Sequence, residues 1–348
     1  MMEKFFISAG IFTLISLSSC MNSPSSSNQD KSGQQPAENT NFTTVEVEIL
    51  NDKAKDILDE NIKGTVIADN FIWSEGPLWI DDKELLLFSD VPANVIYQWT
   101  PEDGLSEYLK PAGMTTPHEH DKEPGPNGLI LNHQGELVIC QHGDHALSIM
   151  NAPIEAPQVK FKVLANEYQG KRLNSPNDVI IDKQGQYYFT DPDYGLAKAE
   201  DKELPFNGVF KIDTSGILEL LIDTISHPNG LAFSPDEQNL YIANSNHDSP
   251  IIYKYRLDHN GDILDGGVFF DFKPLLDRGP GGPDGFKLDS SGNIYTSGPG
   301  GVWIISPEGE PLARLIIENR VSNCALSKDE KTLFVTNTDK VLQIKLKN

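Results

Sequence analysis

A form repeated about every fifty residues constrains this chain more than anything else in it. Each copy opens on a polar residue, usually followed by glycine, then runs through an apolar stretch and a polar turn into a short β-rich run. The first three copies are Glu75-Gly76-Pro77-Leu78-Trp79-Ile80 continuing to 85–90, Pro126-Asn127-Gly128-Leu129 to 137–140, and Pro176-Asn177-Asp178-Val179 to 187–191. The others are Pro228-Asn229-Gly230-Leu231 to 240–244, Pro283-Asp284-Gly285-Phe286 to 294–297, and Ser322-Asn323-Cys324-Ala325 to 333–337. Their leading polar residues stand 52, 50, 52, 55 and 39 residues apart. A unit of this length cannot bury its apolar face alone, so copies must stack on one another. Turn sequences such as Asn132-His133-Gln134-Gly135, Asp182-Lys183-Gln184-Gly185 and Asp289-Ser290-Ser291-Gly292 make each copy a hairpin. Further β-rich stretches at 95–99, 208–212 and 251–256 leave room for four strands per unit. Four-stranded units repeated radially give an all-β, six-bladed β-propeller; the units of a linear β-solenoid are much shorter. The sixth copy is truncated, and a strand within 42–50 is expected to complete its blade and close the ring.

Before the repeats the chain reads as an address. Lys4 is followed by an apolar stretch and then Leu17-Ser18-Ser19-Cys20, the shape of a signal peptide over 1–19 with Cys20 as a lipidated first residue. Residues 20–41 are rich in Ser, Gln, Asn and Pro and cannot offset their ordering entropy, so they are expected to act as a flexible tether. The propeller then occupies 42–348. This predicts a domain lipid-anchored in a bacterial cell envelope, on the periplasmic or surface side, touching the membrane through Cys20 only. Cys140 and Cys324 lie in apolar runs and read as buried free thiols. With 51 acidic residues against 28 Lys and Arg, a net charge of −23, the chain lacks the basic stripe a nucleic-acid binder needs.

In a propeller, the first strand of each blade lines the axial channel, so one repeated position converges on the axis. Here it carries Glu75, Asn127, Asn177, Asn229, Asp284 and Asn323. Asn-Gly and Asp-Gly are ordinary turn sequences, but six in register, with a glutamate where no turn chemistry asks for one, point to a site. Converging amides and two carboxylates are costly to bury unpaired, and a divalent cation is the missing partner. The all-oxygen set, with a formal charge of about −2, suits Ca²⁺. Zn²⁺ or another divalent ion ranks below it, since no His/Cys cluster has the spacing of a zinc site.

From Phe71 onward the chain resembles the gluconolactonase and regucalcin (senescence marker protein) family of six-bladed propeller lactonases. The resemblance rests on Ser74-Glu75-Gly76-Pro77, Arg172-Leu173-Asn174-Ser175-Pro176-Asn177-Asp178 with Phe189-Thr190-Asp191-Pro192, His227-Pro228-Asn229-Gly230-Leu231 and Gly282-Pro283-Asp284-Gly285. It implies metal ligands at Glu75, Asn177, Asn229 and Asp284, a general base at Asp284, and a substrate-contacting arginine at Arg172. Asn127, in the blade the family's ligand set skips, falls to the pocket wall or to a metal-bound water, and Asn323 to a structural role. The implied reaction is hydrolysis of sugar lactones such as gluconolactone, with the metal polarising the carbonyl.

Other signals are weaker. His142, with Asp144, follows the inner hairpin of the second repeat, and Asp191 and Tyr194 follow that of the third; His142, Asp191 and Tyr194 are candidate substrate contacts. His118-Glu119-His120 sits in a Pro-rich, charged insertion without a third ligand and reads as a mobile lid over the pocket. The Gly-rich run 278–283 lacks the Lys-Ser/Thr ending of a phosphate loop, and no Gly-x-Ser-x-Gly elbow supports a serine esterase. Two competing functions share the fold: a phosphotriesterase or arylesterase on the same metal site, and a non-catalytic tethered propeller that binds a glycan or protein. A monomer acting on a small-molecule lactone is the expected form.

Overall fold

The computed structural model describes residues 42–59, 62–116 and 123–347. The signal segment, Cys20, the tether and His118-Glu119-His120 lie outside the described residues.

Six antiparallel sheets form the blades, each meandering from an inner strand outward. The inner strands are Ser74–Ile80, Pro126–Leu131, Val179–Ile181, Pro228–Phe233, Phe286–Leu288 and Asn323–Leu326. The hairpin turns form as their sequences demand: Asn132 Oδ1 accepts from the Gln134 and Glu136 amides, and Asp182 Oδ1 does the same for Gln184 and Gln186, at 2.8–3.0 Å. The glycine closing each turn takes positive φ, +76° at Gly135 and +92° at Gly185.

The second strands carry unbroken apolar runs ahead of their polar ends because both of their faces are buried. Leu137 and Ile139 pack toward blade one, whereas Val138 and Cys140 pack toward blade three, as a two-residue period requires. Six apolar clusters result, one at each junction between neighbouring blades. Cys140 and Cys324 are buried free thiols within two of them.

Ring closure differs in detail from the sequence reading. The fourth strand of blade six is Lys63–Asp69, paired with Lys340–Lys345. Phe42–Thr44 adds a fifth strand outside it, while Glu46–Ile49 pairs with Pro311–Ile316 at the edge of blade five. The segment 42–50 is thus divided between two blades, each of which gains an outermost strand. Pairing across the seam staples the ends of the ring and covers the sheet edges there.

Candidate functional site

The leading polar residue of each repeat sits at the start of its inner strand, and in blades one, two and four the register breaks at that point, between Glu75 and Leu78, Pro126 and Leu129, and Pro228 and Leu231. Such a break re-aims a side chain away from the sheet, here toward the axis. The glycines that follow serve close approach. A Cβ on Gly76 would stand 2.0 Å from the Asn127 carbonyl oxygen, one on Gly128 2.8 Å from that of Asn177, and one on Gly230 2.3 Å from that of Asp284. Each axial residue is thereby wedged against the next blade. Hydroxyls on second strands hold the ring as well: Ser89 Oγ donates to Asn127 O and Thr190 Oγ1 to Asn229 O, both at 2.8 Å, and Ser297 Oγ accepts from the Asp284 amide at 2.7 Å.

Glu75, Asn127, Asn177, Asn229 and Asn323 are all buried, and Asp284 is half-buried. The Asn323 amide donates to Glu75 Oε2 at 3.4 Å. Burial is the main force on the acids. It pushes the Glu75 carboxyl up to about 7, with Asp178 and Glu123 adding like-charge repulsion. Asp284 is driven well above the usual carboxylate range by burial and by Glu75, Asp178 and Glu123, opposed in part by a hydrogen bond from Asn229. Asp284 Oδ1 is buried without a hydrogen-bond partner.

Asp178, which the sequence reading passed over, completes this acidic cluster. It is buried and its Oδ2 has no hydrogen-bond partner; burial raises its pKa, opposed in part by the charge of Lys287 in blade five and by hydrogen bonds from Val179 and Asn323. Its position was legible as the one repeat with Asp where four others carry Gly.

The remaining candidates divide. His142 is fully buried with Nε2 3.4 Å from the Asn127 amide nitrogen, so these two form one wall. Tyr194 stacks on His227 with ring centroids 5.9 Å apart. Burial, with the Asp284 carboxylate adding to it, raises the pKa of its phenol and keeps it protonated. Asp191 is fully buried and turned to backbone amides. Its two oxygens accept from the Asn174 and Ser175 amides at 2.8 and 2.7 Å, clamping the loop into blade three as Asp90 clamps Ile72 and Trp73 in blade one. Asp144 likewise grips Thr115. Arg172 donates from Nη2 to the Asp201 carbonyl at 2.8 Å, with Nε 3.7 Å from Glu203.

An all-oxygen cluster at the channel head, holding buried carboxylates with no lysine or arginine salt bridge to Glu75 or Asp284 among the described residues, fits a hard divalent cation. No group of three or more His, Cys, Asp and Glu side chains placed to hold a metal occurs among the described residues, so a cation at the axis would draw on the asparagine amide oxygens beside the carboxylates.

Comparison with known proteins agrees with this architecture. A gluconolactonase of Zymomonas mobilis is 38% identical over 327 residues, covering 91% of this chain and 90% of that protein. The structure of a gluconolactonase from Xanthomonas campestris superposes with a TM-score of 0.75 at 28% identity, over 88% of this chain and 96% of that one. Regucalcin from Agrobacterium tumefaciens shares the fold at 17% identity, with a TM-score of 0.64 over 81% of this chain and 94% of that one. Residues 73–339 match the SMP-30/Gluconolactonase/LRE-like region, and the chain belongs to that family.

Proposed function

We propose that the chain hydrolyses sugar lactones, gluconolactone among them, at the axial cluster, with a divalent cation held by Glu75, Asn177, Asn229 and Asp284. The observation that carries this reading is the carboxylate pair of buried Glu75 and half-buried Asp284 among amides, with Asp284 Oδ1 left without a hydrogen-bond partner. Hard oxygen donors and a formal charge of about −2 favour Ca²⁺ over Zn²⁺.

When bound, the cation supplies a Lewis acid for the ester carbonyl and the positive charge the pair lacks. Asp284 accepts the proton of the attacking water as the water oxygen bonds to the carbonyl carbon. The ring carbon–oxygen bond then breaks, and the proton passes to the departing alkoxide, leaving the open acid. Asn127 and His142 border the ring on one side. On the other, the Tyr194 phenol is a donor for substrate oxygens. Arg172 donates from Nη2 to the Asp201 carbonyl and keeps its Nη1 donors for a substrate oxygen.

Acid release from glucono-1,5-lactone, measured beside a phosphotriester and an aryl ester, tests the substrate class. Turnover of the lactone in clear preference is expected. Turnover of the phosphotriester or aryl ester without the lactone would replace this reading, and inertness toward all three would favour a binding propeller.

A further inference from the structure

Beside the axis, on the same face, lies a cavity of about 330 Å³ with Asp284 on its lining, near the lower bound of ~300–1,000 Å³ for small-molecule sites. Trp73, Ser245, His247 and Arg320 line it, together with the Gly-rich run 279–283. These residues come from loops of blades one, four, five and six, all at the end of the strands where the axial residues sit.

The wall is built in advance. The Pro280 carbonyl accepts from the Gly300 amide at 2.8 Å, that of Arg278 from Arg314 Nη1 at 2.9 Å, and that of Pro283 from Ser245 Oγ at 2.7 Å. Gly281 takes φ +104°, a region that favours glycine. Gly282 differs: a Cβ there would meet nothing within 4 Å. Trp73 is set by the bond from its amide to Asp90 Oδ1 at 3.1 Å.

Arg320 supplies the chemistry. The chain has five arginines. Four have carboxylate partners: Arg172 with Glu203 at 3.7 Å, Arg256 with Asp265 at 2.5 Å, and Arg278 and Arg314 with Glu48 at 2.7 and 2.9 Å. Arg320 has none within ion-pair distance among the described residues, in a chain with 51 acids to 28 Lys and Arg. Its backbone is nonetheless fixed, the carbonyl accepting from Asn337 Nδ2 and Thr338 Oγ1 at 3.0 Å each. His247, the other cationic candidate, already stands 4.0 Å from Asp248. An exposed arginine at the lining of a small cavity, with no counterion among the described residues, is matched to an oxyanion that accepts both prongs of its guanidinium fork.

We infer that this cavity is a specificity subsite for an anionic substituent, such as a phosphate, sulfonate or carboxylate, on the part of the lactone remote from its ester carbonyl. Arg320 is its counterion and Trp73 its apolar wall. The inference rests on the lactonase reading and adds the substrate class: acidic sugar lactones over neutral ones.

The test compares kcat/KM for 6-phosphoglucono-1,5-lactone and glucono-1,5-lactone. The wild-type protein prefers the phosphorylated lactone. Arg320→Ala lowers the ratio of the two values by about tenfold or more, chiefly through KM for the phosphorylated lactone, and Arg320→Lys restores part of it. Gly282→Leu, placing a side chain in the open space, lowers the ratio by a second route, whereas Arg256→Ala, on the outer part of blade four, leaves it unchanged. Hydrolysis of both lactones without preference, or a ratio unmoved by Arg320→Ala, overturns the subsite alone. Failure to hydrolyse either lactone overturns the lactonase reading on which it rests.

Discussion

At the scale of single residues, burial has made the axial carboxylates Glu75 and Asp284 reluctant to ionise. Asp284 bears both the cation and the proton in the proposed reaction, so Asp284→Asn is expected to lower lactone turnover by about 10²–10⁴-fold, the usual worth of a general base. Melting in chelator separates this from misfolding: removing one of two like-charged carboxylates should leave Tm unchanged or raised. Asp191 gives a pH signature. Burial outweighs its two amide donors and pushes its carboxyl from the ordinary 3.8 up to about 7. Between those values the folded chain keeps a proton that the unfolded chain releases, so this group's contribution to stability falls as pH rises from about 4 to 7. Denaturant titrations across that range should show a smaller slope for Asp191→Asn. The axial residues were legible because the repeat puts them in register. What Asp191 holds was not legible, because a carboxylate ending a second strand looks the same in sequence whether it faces substrate or grips backbone amides.

At the scale of elements, the axial geometry depends on inner strands that approach more closely than a side chain allows. Gly230→Ala would place a methyl against the Asp284 carbonyl, at 2.3 Å before relaxation. A destabilisation of about 1–3 kcal/mol is expected, with weaker cation binding as Asp284 moves. Gly267→Ala, whose added carbon meets nothing within 4 Å, should stay within about 0.5 kcal/mol of wild type; equal effects from the two would deny the wedge. The inner and second strands, and the third strands of blades one, three and four, followed from their apolar runs and turns. The edge strands did not: 42–50 and 63–69 are both β-rich, and which blade each joins is set by partners about 270 residues away, not by local pattern.

At the scale of the whole molecule, closure brings together what sequence keeps apart. Trp73 and Arg320 line one cavity because blade six meets blade one, which is why no local motif announced it. Lys63–Asp69 makes that seam, so deleting 42–69 should abolish cooperative unfolding instead of shifting its midpoint; a retained cooperative transition would show that blade six stands without it. The envelope anchor is a separate proposal, checked by fractionating cells that express Cys20→Ser: release from membranes is expected, and an unchanged distribution would remove lipidation at Cys20. The central claim is that lactone hydrolysis needs a cation on Glu75, Asn177, Asn229 and Asp284. It is tested most directly by following acid release from glucono-1,5-lactone in chelator and then with Ca²⁺ added back. Loss of turnover in chelator and recovery with Ca²⁺ or a competing divalent ion is the predicted result, and undiminished hydrolysis in chelator would contradict the account.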